Sequence, residues 1–169
     1  HVIGSHQGLG VAQYNKGNYG EASAALLKSE RLARSPRDRY RVYHARGSAY
    51  FNAGEFERAV SDLERAVSIK RGELADVLQL GMALYRLKNH SAAESYLKQA
   101  LALDPASKEA QAYLARIQFQ KASEALGRGE YREAATLLRS YVGDMPEDGQ
   151  AWFNLGLSHL FAEELQASE

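Results

Sequence analysis

Small and large apolar residues recur three and four positions apart along this chain, and short polar turns interrupt them. Ala22, Ala25, Leu26 and Ser29 fall on one helix face. Phe56, Ala59, Val60, Leu63, Ala66, Val67 and Ile69 make a second such stripe, and Ala93, Leu97, Ala100, Leu101 and Leu103 a third. Between them lie Val42, Tyr43, Gly47, Ala49, Tyr50 and Phe51, then Val77, Leu80, Gly81, Ala83 and Leu84. This spacing is the signature of amphipathic helices that each bury one face. The pattern predicts an all-α chain.

The turns repeat as well. Gly17-Asn18-Tyr19-Gly20-Glu21-Ala22, Gly54-Glu55-Phe56-Glu57-Arg58-Ala59 and Gly129-Glu130-Tyr131-Arg132-Glu133-Ala134 share the form Gly-x-aromatic-x-x-Ala. Lys88-Asn89-His90-Ser91-Ala92-Ala93 is a weaker copy. Tyr19, Phe56, His90 and Tyr131 lie 37, 34 and 41 positions apart. A period in this range marks a stacked array of helical pairs, each too small to bury its apolar face alone. Glycine at the turn supplies the left-handed conformation that ends a helix at low cost. Ser35-Pro36-Arg37-Asp38 reads as a restart, with Ser35 as N-cap, Pro36 in the first helical position and Asp38 near the positive end.

The expected units are residues 3–36, 40–73, 74–107, 108–147 and a half unit at 148–169, in a single array of about four and a half units. The spacing of 41 is one period plus seven residues, about two helical turns, so an insertion of that length nearly preserves the helix face. It predicts one long helix from about Ser107 to Leu126. The missing initiator Met and the half unit suggest a piece of a longer protein or a processed chain.

Charge is balanced, with 21 basic and 21 acidic residues, which argues against a nucleic-acid partner. There is no cysteine, hence no disulfide, thiolate nucleophile or thiolate metal site. No apolar run approaches the roughly 20 residues of a membrane helix. His1, His6, His44, His90 and His159 lack metal-ligand spacing and read as exposed or loosely packed. Gly8-Leu9-Gly10 follows no predicted strand and lacks a third glycine, so helix contact is the better reading than a nucleotide loop. No metal, cofactor or catalytic constellation is expected, and the compartment is left open.

The combined pattern resembles the tetratricopeptide repeat (TPR) family, whose unit of about 34 residues reads Trp-x-x-Leu-Gly-x-x-Tyr…Ala-x-x-x-Phe…Pro. Trp152, Leu155 and Gly156 match its opening; Leu9-Gly10 and Leu80-Gly81 match the Leu-Gly pair; Gly47 and Tyr50 match in the second unit. Ala22/Leu26, Ala59/Leu63, Ala93/Leu97 and Ala134/Leu138 match the small-then-large element, and Pro105 and Pro146 the closing proline. Arg46, Lys88 and His90 depart from it, as do Gln118 and Lys121, polar where the fourth unit should be apolar. The resemblance implies a right-handed α-solenoid of antiparallel helix pairs.

It also implies a concave groove lined by the first helix of each unit, where a peptide or helix binds. Projected onto this chain, the groove receives Tyr14 and Asn15 from unit one, and Arg41, His44, Phe51 and Asn52 from unit two. Unit three gives Leu78, Met82, Tyr85 and Arg86, and unit four Arg116 and Phe119. Tyr14, Phe51 and Tyr85 hold equivalent places, an aromatic row flanked by Asn and Arg; the alternative is that these rings pack between neighbouring units. Some relatives grip a C-terminal carboxylate with Lys, Asn and Arg. The equivalent positions here are Gln7, Val11, Ala45, Ala75 and Gln79, so no such clamp is expected.

Two surface features remain. Arg31, Arg34, Arg37, Arg39 and Arg41 cluster at the first connection between units, as a solvated connector or a patch for an acidic partner. The last helix carries Trp152, Phe153, Leu155, Leu157, Leu160, Phe161 and Leu165 on more than one face. A terminal cap needs a polar outer face, so Trp152, Phe153, Leu157, Leu160 and Phe161 are expected to be covered, by continuing chain or by a second copy. The expected function is a non-enzymatic scaffold or adaptor for protein or peptide partners. The rivals are a recognition module of a larger enzyme and a secretion-type chaperone.

Overall fold

The computed structural model describes residues 8–10, 12–14 and 16–167, which form helices and turns with no strand among them. Residues 8–10 and 12–14 are helical. Eight helices follow: α1 (Tyr19–Glu30), α2 (Pro36–Ala53), α3 (Phe56–Ile69), α4 (Leu74–Arg86), α5 (His90–Leu103), α6 (Lys108–Gly127), α7 (Tyr131–Asp144) and α8 (Gly149–Ala167). The all-α reading holds.

The turn chemistry explains where helices end. Gly17, Gly54 and Gly129 have φ of 78°, 79° and 75°, in the left-handed region. Lys88 has φ 61° and so makes the same turn without glycine. Ser35 caps α2 as its sequence implies: its Oγ accepts from the Asp38 N–H at 3.1 Å and donates to the Asp38 carboxylate at 2.7 Å.

Each pair is held by a small residue facing a leucine sixteen positions later. A methyl group added at Gly10, Gly47 or Gly81 would lie 2.6, 2.8 or 2.9 Å from the Cγ of Leu26, Leu63 or Leu97. In the fourth pair Ala122 takes the small place, and it shares a buried cluster with Leu138. All four leucines are almost wholly buried, each contributing about 1.5–3 kcal/mol. Close approach of the backbones leaves room only for a residue with little or no side chain.

The chain divides between Ala110 and Gln111, at the start of α6, into two compact units. In the first, α1 packs on α2, α2 on α3, α3 on α4 and α4 on α5, while α2 also touches α4. That last contact sets the first helices of successive pairs side by side. In the second unit, Ala122, Ala135, Leu138, Val142, Ala151 and Leu155 form the core, with Phe119, Leu126, Leu137 and Tyr141 packed against it.

The first unit also has a polar core. Arg46, only 4% exposed, stands where the family pattern has Leu. Its Nε and Nη2 donate to the buried Asp62, and its Nη1 donates to Glu30 at 2.6 Å. Burial opposes the Arg46 charge, but the hydrogen bonds to Asp62 and Glu30 outweigh it and hold Arg46 above its ordinary value. Burial likewise raises Glu30, and Arg46 more than reverses this, leaving Glu30 below the usual carboxylate range.

Candidate peptide-binding groove

The aromatic row is built by the helix turns. Tyr14 meets Tyr19 edge-on at 5.6 Å, Phe51 meets Phe56 edge-on at 5.8 Å, and Tyr85 stacks on His90 at 5.5 Å. In each case a ring in the first helix of a pair rests on the ring five positions later, across the turn. Both the sequence expectation and its alternative missed this arrangement: the contact lies within a pair. It leaves Tyr14, Phe51 and Tyr85 half-buried. His90 thus serves as the aromatic it replaces.

Polar contacts tie neighbouring pairs together along the same face. Asn52 Nδ2 donates to the Tyr14 hydroxyl at 2.7 Å. Ser48 Oγ donates to Gln79 Oε1 at 2.7 Å. Arg86 sets its guanidinium over the Phe56 ring, 4.5 Å from the centroid. Leu78 and Met82 are half-buried, and Arg41 is exposed.

His44 departs from the exposed or loosely packed role expected of it. Its Nδ1 lies 2.6 Å from Oδ1 of Asp76, a wholly buried carboxylate in the first turn of α4. The hydrogen bond to Asp76 raises His44 above the ordinary histidine value, and burial opposes it only in part. Tyr40 stacks on the His44 ring at 5.7 Å. Burial, and after it the Asp76 charge, push the Tyr40 hydroxyl well above its usual range.

Sequence reading overlooked Ser48 and Asp76, and named Gln79 only as a position that lacks a clamp residue. Ser48 pairs with Gln79 and His44 with Asp76 at separations of 31 and 32, close to one period. A search for complementary polar residues at that separation finds both pairs. The remaining candidates lie elsewhere. Asn15 falls outside the described residues, as do Gln7 and Val11 of the clamp positions and His1 and His6. Arg116 and Phe119 belong to the second unit: Arg116 lies over the Tyr113 ring, and Phe119 packs on Tyr141 at 5.1 Å.

At the chain's end Trp152, Phe153 and Leu160 are half or more exposed, while Leu157 is half-buried. Phe161 packs on Tyr131 at 5.1 Å, and Trp152 Nε1 donates to the Pro146 carbonyl at 2.9 Å. Gly156 has nothing within 4 Å of where a methyl would stand. A separate pocket of about 540 Å³ between α3 and α5 is lined by Val67, Arg71, Tyr96 and Leu103 among others, and includes no groove candidate. Among the described residues no group of three or more His, Asp or Glu could hold a metal, and no helix is long and apolar enough to cross a membrane.

Tetratricopeptide repeat family models match residues 40–73, 74–117 and 119–169. The chain belongs to the tetratricopeptide repeat family. It is 29% identical over 124 residues to the protein O-mannosyl-transferase Tmtc3 of Drosophila melanogaster. That match covers 69% of this chain and 13% of the transferase. The first TPR of Spaghetti (RPAP3), solved bound to the HSP90 peptide SRMEEVD, is 26% identical with a TM-score of 0.61, over 75% of this chain and 94% of that one. YrrB, described as a TPR protein with an unusual peptide-binding site, superposes with a TM-score of 0.66 at 20% identity, over 94% of this chain and 76% of its own. A MamA protein gives 0.63 at 18% identity, over 96% and 83%. These last two likenesses concern the fold. The helical pairs of this TPR chain are those of α-solenoid proteins.

Proposed function

We propose that this TPR chain is a non-enzymatic scaffold that takes a peptide or helix along the face formed by Tyr14, Phe51 and Tyr85 in its first unit. The observation that carries this reading is the aromatic row itself, each ring half-buried on its turn partner with Asn52 and Arg86 at its flank. Rings pre-set in this way offer apolar area at little entropic cost, and the amide and guanidinium fix orientation. The peptide complex of the related Spaghetti TPR supports the same class of partner.

Capture from a lysate with the whole chain, against Phe51→Ala and Tyr85→Ala, tests the reading. Partners are expected to be lost together while the helical signal is kept. Retained binding by a folded double variant would refute it.

A second reading has one observation in its favour, the match to a transferase of which this chain spans only 13%. In that reading the same face recruits a protein to a catalytic domain elsewhere in a longer chain. Deleting the repeats would then lower turnover of a protein substrate and spare that of a small one.

The end face of Trp152, Phe153, Leu157, Leu160 and Phe161 is proposed as a contact for a further helix or a second copy. Its support is the exposed apolar area beside the uncovered Gly156. Sedimentation of the wild type and of Phe153→Asp tests for a second copy, which predicts a dimer only in the former.

A further inference from the structure

One end of the groove face has a charge character that the aromatic row does not use. Arg37, Arg41, His44, Ser48, Phe51 and Asn52 follow one another on α2 at steps of four, three, four, three and one, which aligns them along a single face. The later part is occupied by contacts of its own: Ser48 binds Gln79, Asn52 binds Tyr14, and Phe51 rests on Phe56. In the earlier part His44 binds Asp76 through one ring nitrogen, and the two arginines are unoccupied. Arg37 and Arg41 are exposed, and neither has an acidic partner among the described residues.

His44 completes this end. Asp76 is fully buried, with its Oδ1 on His44 Nδ1 and its Oδ2 without any hydrogen-bond partner. The Tyr40 hydroxyl also interacts with this carboxylate, but a buried carboxylate with one oxygen unpartnered still favours a positive charge on the ring beside it. Nδ1 is committed to Asp76, so the proton added on charging sits on Nε2. That nitrogen has no partner among the described residues, and the side chain is 39% exposed.

The other groups around the ring leave this charge standing. On α2, Tyr40 stacks on it and Arg41 is one turn away. On α4, Asp76 binds it, and Glu73 at the helix N-cap adds negative charge. Lys70, just beyond α3, opposes it, but Lys70 is itself paired with Glu73 and lies over the Tyr40 ring at 5.3 Å. Asp38, in the first turn of α2, accepts from the Ser35 hydroxyl and keeps its negative charge. Against it stand Arg37 and Arg41, while His44 is matched by Asp76 and Lys70 by Glu73, so the balance on this part of the face is positive.

We propose that the Arg37–Arg41–His44 end of the groove binds acidic side chains of a peptide partner, one carboxylate accepting from His44 Nε2–H and another pairing with Arg41. Charge-assisted hydrogen bonds of this kind are about twice as strong as neutral ones. The ligand class is thus a peptide with internal Asp or Glu beside an apolar anchor, the anchor lying on the Phe51–Tyr85 stretch. This rests on the groove reading above and gives it a partner chemistry. It differs from a clamp on a chain terminus, because the donors here meet side-chain carboxylates.

The test uses the whole chain and a fluorescein-labelled peptide of alternating leucine and glutamate, acetylated and amidated so that neither end is charged. A glutamine-for-glutamate version is the control. At about pH 6 the glutamate peptide is expected to bind about tenfold more tightly than the control, and to weaken several-fold on going to about pH 9, as pH rises through the raised His44 value. In His44→Gln that pH dependence is lost. Arg37→Gln/Arg41→Gln, at exposed sites without partners to disturb, weakens the glutamate peptide at both pH values and leaves the control unchanged.

Equal binding of the two peptides, no binding of the glutamate peptide at pH 6, or an unchanged pH profile in His44→Gln overturns the proposal. So does unaltered affinity in the double arginine variant, which keeps the test decisive if His44→Gln folds poorly. Phe51→Ala separates the two readings. If it weakens both peptides alike while the arginine variant does nothing, the groove stands and the acidic preference falls. If it weakens neither while the arginine variant weakens the glutamate peptide, the acidic site stands and the aromatic groove falls.

Discussion

Arg46 and Asp62 form a two-pronged ion pair inside the second helical pair, Nε to Oδ2 at 2.5 Å and Nη2 to Oδ1 at 2.8 Å. Both side chains are about 5% exposed or less, so neither charge can turn to water if the other is removed. Breaking a buried pair on one side costs about 3–5 kcal/mol, whereas replacing both partners by apolar groups is close to neutral. Arg46→Ala should therefore lower the melting temperature by roughly 6–20 °C, at about 2–4 °C per kcal/mol for a domain of this size. Arg46→Leu/Asp62→Leu should recover most of that loss, since Leu is what the family pattern places at 46. Thermal melts followed by far-UV circular dichroism decide the matter. A double variant no better than the single would show that the pair is not a self-contained unit.

The small-residue seats give a second prediction, with opposite signs at two equivalent places. A methyl at Gly81 would stand 2.9 Å from Leu97 Cγ, while one at Gly156 would meet nothing within 4 Å. Gly81→Ala should cost about 1–3 kcal/mol by overpacking. Gly156→Ala should gain about 0.5–1 kcal/mol, because alanine in a helix loses less conformational freedom than glycine. Denaturant midpoints at equal slope measure both. Destabilisation by Gly156→Ala would mean that the end face is covered in solution.

Lys88 is the one described non-glycine residue with positive φ, at 61°. The left-handed conformation costs an L-residue about 1–2 kcal/mol, and glycine escapes that cost while adding freedom to the unfolded chain. The net gain for Lys88→Gly should be about 1 kcal/mol, seen as a rise of about 2–4 °C in melting temperature. Lys88→Val should move it the other way, because a β-branched side chain tolerates this region poorly. No change in either variant would mean that the third turn relaxes in solution.

These cases also show what the sequence makes legible. The turn at Lys88 and the seat at Gly81 are local facts: a residue type at a fixed place in a repeat, each explained by one conformation or one close approach. Period and small–large pattern therefore foretell the helical pairs. The ring contacts were harder. Tyr14, Phe51 and Tyr85 recur at the right places, but whether a ring faces solvent, a neighbouring pair or its own turn depends on side-chain torsions that no spacing encodes. Arg46 with Asp62, and His44 with Asp76, were invisible for another reason. Each half alone reads as an ordinary surface charge, and only the packing that removes water makes the pair consequential. The arginines from Arg31 to Arg41 are the converse. Their clustering is plain in the sequence, and the geometry adds that none of them is ion-paired among the described residues.

The His44–Asp76 contact gives stability a pH dependence whose sign follows from the direction of the shift. The folded state raises His44 above its ordinary value near 6.5, so at neutral pH it binds more proton at this site than the unfolded chain does. The stabilisation is then complete below about pH 6.5 and fades as pH rises through the raised folded value. Above that, a neutral ring faces a buried carboxylate with one oxygen already unpartnered. Denaturant midpoints of the wild type should fall as pH goes from about 6 to 9. His44→Gln should flatten the profile, because glutamine still offers an N–H but cannot carry charge. Asp76→Asn should flatten it too, returning His44 toward its ordinary value while keeping the shape of the site. A decline that survives in both variants would place the titrating group elsewhere; one that survives only in Asp76→Asn would mean that Glu73, not Asp76, supplies the charge that His44 answers.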